Sequence, residues 1–93
     1  MDISIVIPLL NEVESLPELH QWITRVMTTM NKSYESIFID DGSNDGSWDL
    51  IVNLSKKDPA VKGVKFTRNY GKSAALNVGF ERALGAVVIT MDA

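Results

Sequence analysis

The stretch "YESIFIDDGSNDGSWDLIVNLSKK", residues 34–57, decides the fold. "YESIFID" (34–40) reads as a strand. "SWDLIVNLSKK" (47–57) reads as a short amphipathic helix, closed by "DP" at 58–59 because a residue before proline is pushed out of helical conformation. Between them lies a polar turn, so the unit is one leg of a strand–helix–strand crossover. The turn admits three readings: a calcium loop, a surface turn that caps the next helix, or the floor of a nucleotide site. Asp41, Ser43, Asp45 and Gly46 match the first, third, fifth and sixth positions of an EF-hand loop. The twelfth position falls on Val52 where a glutamate is required, and a strand precedes the loop instead of a helix, so calcium is excluded. Asp45 and Ser47 fit cap residues. Asp40 and Asp41 stand apart, because adjacent acids at a strand end repel each other unless something positive arrives.

Working outward, the same alternation repeats. "ISIVIPLL" (3–10) is a β-branched apolar run, and Leu16, Leu19, Ile23, Val26, Met27 and Met30 then recur at helical spacing. Pro17 suits the first turn, which starts this helix near Ser15. "VKGVKFT" (61–67) reads as the third strand and "GKSAALNVGFERAL" (71–84) as the third helix, with Leu76, Phe80, Ala83 and Leu84 on one side and Gly85 as its C′ residue. "AVVITMDA" (86–93) reads as the fourth strand. Short links between alternating elements predict an α/β fold: a parallel sheet of about four strands with flanking helices, the first half of a doubly wound, Rossmann-like sandwich. Trp22 and Trp48 read as packing residues, and His20 as a surface or core-edge side chain.

Composition narrows the function. A formal charge of −3 gives no general affinity for nucleic acid, which needs clustered positive charge. The absence of cysteine removes a thiolate metal site, and the single histidine removes a multi-histidine one. The start "MDISIVIP" lacks the charge and hydropathy order of a signal peptide, so the expected compartment is the cytoplasm.

Ligands of open parallel sheets bind beyond the carboxyl ends of the strands. The unusual polar residues all fall there: Asn11 and Glu12 after strand one, Asp40 and Asp41 after strand two, Arg68 to Lys72 after strand three, and Asp92 after strand four. The acids can accept base and ribose hydrogen bonds or hold a hard cation. Arg68 and Lys72 flank Gly71 at a helix start, where backbone N–H groups favour phosphate. Acids beside a phosphate-binding corner suggest a metal-bridged nucleotide diphosphate.

Together, "IVIPLLNE", "IDDGSNDGSW", "RNYGKSAALNVGFERALG" and "VVITMDA" resemble the N-terminal nucleotide-binding part of a family 2 glycosyltransferase of the GT-A fold, nearest to the polyprenyl-phosphate sugar transferases. The resemblance implies an inverting, metal-dependent transferase of cell envelope glycan biosynthesis, acting on a nucleotide-diphosphate sugar and a lipid-phosphate or glycan acceptor. It implies that Pro8, Asn11, Glu12, Asp40 and Asp41 serve the nucleoside and that Arg68, Gly71 and Lys72 serve the diphosphate. Asp92 would be the first acid of an Asp-x-Asp motif that meets Mg²⁺ or Mn²⁺. The second acid would be residue 94, so residues 1–93 are expected to form one part of a longer domain that is inactive alone, with any catalytic base beyond Ala93. The parent is then expected at the cytoplasmic face of a membrane. The apolar fourth strand, left uncovered, predicts self-association. The competing reading is a non-catalytic flavodoxin-like or receiver-like module whose acidic edge binds Mg²⁺ or a partner.

Overall fold

A computed structural model describes residues 1–93. The elements run β1 (Ile3–Leu9), α1 (Leu16–Met30), β2 (Tyr34–Asp40), α2 (Ser47–Lys57), β3 (Val61–Lys65), α3 (Lys72–Arg82) and β4 (Val87–Thr90). All strand pairs are parallel and the sheet order is β3-β2-β1-β4. This is the expected half of a doubly wound sheet. A flavodoxin-like order would seat β3 beside β1, whereas here β1 lies between β2 and β4. The flavodoxin-like and receiver-like alternative therefore fails on topology.

Strand β1 is buried along its whole length, as a central strand must be. Its odd residues Ile3, Ile5, Ile7 and Leu9 join Phe38 of β2 in packing against Leu16, Ile23 and Met27 of α1 and Ile51 of α2. On the other face Val6, Ile37 and Ile39 meet Ala75 of α3. Each such side chain contributes about 1.5–3 kcal/mol on burial, so the layering follows from the alternation of the strands.

The third helix differs from expectation. It meets the sheet through its small residues Ala75 and Gly79, and a Cβ on Gly79 would collide with Val6. Of the four residues expected on the packed side, Leu76 and Ala83 do pack against this cluster, whereas Phe80 and Leu84 are 47% and 68% exposed. The helix ends at Arg82 with Ala83 extended, so Gly85 is not its C′ residue. Gly85 is needed for close approach instead: a Cβ there would lie 2.5 Å from the Ser4 backbone nitrogen. Strand β3 stops two residues early, at Lys65, although the Phe66 N–H still donates to the Asp40 carbonyl at 2.8 Å. Trp48 packs against the core as expected, whereas Trp22 is 46% exposed. His20 joins α1 to the turn before β3 through Asp58, 2.9 Å away.

Glu35 is a fully buried carboxylate near the start of β2. It accepts hydrogen bonds from Ser4 Oγ at 2.5 Å, Lys62 Nζ at 2.6 Å and the Leu84 N–H at 2.7 Å. Ser4 Oγ in turn accepts the Gly85 N–H at 2.8 Å. This network joins three strands to the α3–β4 connection. Burial pushes the Glu35 carboxyl up, but the bonds from Lys62, Ser4 and Leu84 outweigh it and hold the group below its ordinary value of 4.5. A lowered folded-state value means that Glu35 stabilises the fold above about pH 4.5 and that this contribution is lost as pH falls through the lower folded value. Glu35→Ala leaves a buried hydroxyl and a backbone N–H without a partner, and should cost about 2–4 kcal/mol in urea unfolding at pH 7. Glu35→Gln should remove the part of the acid-induced loss that belongs to this group, seen as a smaller pH dependence of the unfolding midpoint.

Candidate functional site

The sheet is not paired evenly. Strand β1 pairs with β2 over Ile3–Leu9 but with β4 only over Ile3–Val6. The Val6 carbonyl accepts the Met91 N–H at 3.0 Å, so even-numbered residues of β1 turn their backbone groups toward β4. The next even residue is Pro8, which has no N–H to give. Strands β1 and β4 therefore part at Pro8, where the strand order also reverses, and a crevice opens at that switch point.

A cleft of about 400 Å³ occupies this crevice, lined by Pro8, Leu9, Leu10, Glu12, Asp41, Asn69, Gly71, Lys72, Asp92 and Ala93. Its size falls in the roughly 300–1,000 Å³ range of small-molecule sites. The cleft thus gathers Pro8, Glu12, Asp41, Gly71, Lys72 and Asp92 from four separate connections. Three other sequence candidates stand apart from it. Asp40 is 1% exposed and lies behind the cleft. Asn11 and Arg68 are not among its lining residues. Leu9, Leu10 and Asn69, which the sequence reading did not single out as ligand contacts, do line it.

The polar turn after β2 is a set of joints. The Asn11 N–H donates to Ser43 Oγ at 2.8 Å, and Asn11 Oδ1 accepts the Asn44 N–H at 2.9 Å. The Glu12 N–H donates to Ser47 Oγ at 3.1 Å, and the Val13 N–H to Asp45 Oδ2 at 3.2 Å. Asp45 Oδ1 also accepts from the Ser47 N–H at 3.0 Å, but the N-cap of α2 is Gly46 and no side chain caps the helix, so Asp45 and Ser47 serve as joints to the β1–α1 connection instead of the expected caps. Bonds from Ser47 and Val13 hold the Asp45 carboxyl below its ordinary range. Asn11 sits at φ +55, a left-handed turn that asparagine tolerates. These bonds fix the β1–α1 connection, and with it Glu12.

Residues 40–42 meet the connection after β3. Asp40 Oδ1 accepts the Ser43 N–H at 2.7 Å, while its Oδ2 is buried without a partner. Asp41 Oδ1 accepts the Tyr70 N–H at 2.7 Å, and its Oδ2 accepts the Gly71 N–H at 3.1 Å. Gly42, at φ +88, brings the turn so close that a Cβ would stand 2.6 Å from the Arg68 carbonyl carbon. Arg68 itself turns away and stacks on the Tyr70 ring, 5.0 Å from its centroid.

At the mouth, Lys72 Nζ lies 2.8 Å from Asp92 Oδ1, with both side chains exposed. No three histidine, cysteine, aspartate or glutamate side chains converge on one point. Asp92 is an oxygen donor beside a phosphate-favouring helix start. That donor set fits a hard cation that takes one carboxylate and completes its shell with ligand phosphates and water, as Mg²⁺ commonly does.

The family model for glycosyl transferase family 2 matches residues 4–93. Among curated proteins, the chain is 46% identical over 92 residues to the undecaprenyl-phosphate 4-deoxy-4-formamido-L-arabinose transferase of Aeromonas hydrophila, covering 98% of this chain and 28% of that protein. It is 42% identical over the same length and coverage to the enzyme of that name from Salmonella choleraesuis. The chain therefore spans about 28% of the length of these relatives. Among solved structures, a mannosyltransferase from Pyrobaculum calidifontis in complex with GDP-Man and Mn²⁺ superposes with a TM-score of 0.73 at 22% identity, covering 97% of this chain and 26% of that one. TarS of S. aureus superposes at 0.70 and 22% identity, covering 99% and 16%. Both show the same fold.

Asp45→Ala removes the acceptor shared by Val13 and Ser47, so amide hydrogen exchange at both residues should speed up while exchange in β1 stays slow.

Proposed function

The chain belongs to glycosyl transferase family 2, and from that premise we propose that the protein transfers a sugar from a nucleotide diphosphate donor to a polyprenyl phosphate with inversion at the anomeric carbon. The observation that carries this reading is the cleft at the β1/β4 parting, where Glu12, Asp41 and Asp92 face Gly71 and Lys72. Pro8, Leu9 and Leu10 offer apolar surface to the nucleoside, while Glu12 and Asp41 accept hydrogen bonds from it. Gly71 and Lys72, at the start of α3, take the diphosphate.

Relatives whose names specify undecaprenyl phosphate favour a lipid-phosphate acceptor over a glycan hydroxyl. The same names favour 4-deoxy-4-formamido-L-arabinose as the sugar. A phosphate acceptor also simplifies the chemistry. Its oxygen is already anionic at neutral pH, so it attacks the anomeric carbon while the bond to the donor diphosphate breaks and the nucleoside diphosphate leaves with the electron pair. No proton has to be removed, and positioning supplies most of the catalysis. A hydroxyl acceptor would instead need a carboxylate base from residues outside this chain. Asp92 would hold a divalent cation, which neutralises charge on the leaving diphosphate when bound. A lipid acceptor puts the reaction at a membrane surface, and a nucleotide donor puts it on the cytoplasmic face.

The test is transfer from a UDP- or GDP-activated 4-deoxy-4-formamido-L-arabinose to undecaprenyl phosphate by the full-length protein, read as the mass of the glycolipid. Asp92→Asn should lower kcat about hundredfold. Unchanged transfer would remove Asp92 from its assigned role. Titration with UDP and GDP, with and without Mn²⁺, should move the amide resonances around Asp41. Silence there at millimolar nucleotide would sink the site itself.

A further inference from the structure

Acceptance of a base hydrogen bond accounts for only part of what Asp41 does in this structure. Its carboxylate is 6% exposed and already takes two backbone N–H groups, those of Tyr70 and Gly71. Those two residues immediately precede Lys72, the first residue of α3. The next residue, Gly42, presses the β2 turn against the same connection, leaving no room for a Cβ beside the Arg68–Asn69 peptide. Gly71 has φ +101 and no atom within 4 Å of where a Cβ would be, so no packing of its own holds it in place. Two independent contacts from residues 41 and 42 therefore fasten a connection that is otherwise exposed from Thr67 to Tyr70.

On this geometry we infer that Asp41 and Gly42 are positioning residues for Lys72, so that the nucleoside end and the diphosphate end of the donor are coupled through one carboxylate. The inference rests on the donor reading of the cleft and deepens it. Each oxygen of a carboxylate offers about two acceptor positions. Asp41 can therefore clamp the connection and still accept a hydrogen bond from the ligand. A nucleoside that engages Asp41 then tightens the socket that aims Lys72 at the diphosphate. Gly42 touches no ligand and acts only through the socket.

The experiment compares the affinities of UDP and uridine for the full-length protein, in wild type, Asp41→Asn, Lys72→Met, their double variant, and Gly42→Ala. Lys72→Met should cut the UDP-to-uridine affinity ratio about tenfold, the factor that 1.4 kcal/mol represents. Asp41→Asn and Gly42→Ala should cut the same ratio severalfold. The double variant should lose little more than the larger single loss, since both changes act on one interaction. Amide exchange at Tyr70 and Gly71 in unliganded Asp41→Asn should speed up. If Asp41 serves the base alone, Asp41→Asn weakens UDP and uridine by the same factor and its effect adds to that of Lys72→Met, which overturns the inference. A ratio that rises in Asp41→Asn, as loss of a negative charge by itself would give, overturns it too, as does unchanged exchange at both amides. Gly42→Ala is strained at its positive φ, so its folding is checked by thermal unfolding; should it not fold, the cycle of Asp41 with Lys72 decides. Should UDP and uridine not bind, GDP and guanosine take their place in the same cycle; wild-type protein that binds none of the four overturns the donor reading itself, an outcome distinct from all of these.

Discussion

The crossover from β3 back over the sheet to β4 depends on two carboxylates, one near the start of β2 and one just past its end. Residues 35 and 41 are both odd, so in a strand of period two they belong to the same face, the one α3 covers. Asp41 holds the start of the crossover through Tyr70 and Gly71, and Glu35 holds its finish through Leu84. Helix α3 brings only modest apolar area of its own, because its buried residues Ala75 and Gly79 are small and Leu76 is only partly buried against the core. Hydrogen bonds to charged groups are each worth about 1.5–3 kcal/mol, comparable with burying one large aliphatic side chain. Small residues let the helix come close, and charge-assisted bonds at its two ends set where it stops.

The two ends are built for different work. Glu35 is neutralised by Lys62 and closed off, with Ser4 and Leu84 completing its shell. Asp41 receives only backbone N–H groups from the protein and lines the cleft. One carboxylate is therefore fully consumed by the fold, while the other keeps acceptor capacity for a ligand. The carboxylate that closes the fold and the one that lines the cleft thus stand at opposite ends of β2, with five residues between them.

Much of this was legible in the sequence, and the misses share a cause. The strand and helix bounds of residues 34–57 follow from periodicity, because a period-two run and a period-3.6 run meet at a proline-free polar turn. The edge at which Glu12, Asp41, Lys72 and Asp92 gather follows from parallel topology, which sends every strand's carboxyl end the same way. Periodicity put Leu76 and Ala83 toward the sheet, where they do pack, but carried Phe80 and Leu84 with them, since these are larger and more apolar than Ala75 and Gly79. Close approach overrode the apolar pattern there. Glu35 passed unremarked as one polar letter in a strand. A signal existed: Ser4 and Glu35 are register partners across β1 and β2, each a polar residue inside an apolar run. Arg68 read as a phosphate ligand because charge is visible in sequence, whereas the stacking on Tyr70 that turns it aside is not.

The cleft also shows why its charges can be held in place without being used up. Strands β1 and β4 separate at Pro8 because proline cannot donate the bond that would continue the pairing. Asp92 follows the last paired residues and so hangs at the open end, where it meets Lys72 across the mouth. With the Lys72 and Asp92 side chains 61% and 75% exposed, this ion pair is worth about 0–1 kcal/mol. A diphosphate carries more negative charge than one carboxylate, and a divalent cation more positive charge than one ammonium. On the proposed reading, either would displace its counterpart from the pair at little cost. Glu12 is tied through its backbone to Ser47, and the Asp41 carboxylate to Tyr70 and Gly71, so neither belongs to the exchangeable pair. On the proposed reading the fixed acids would meet the nucleoside and the exchangeable pair the phosphates, the order in which a nucleotide sugar presents its parts.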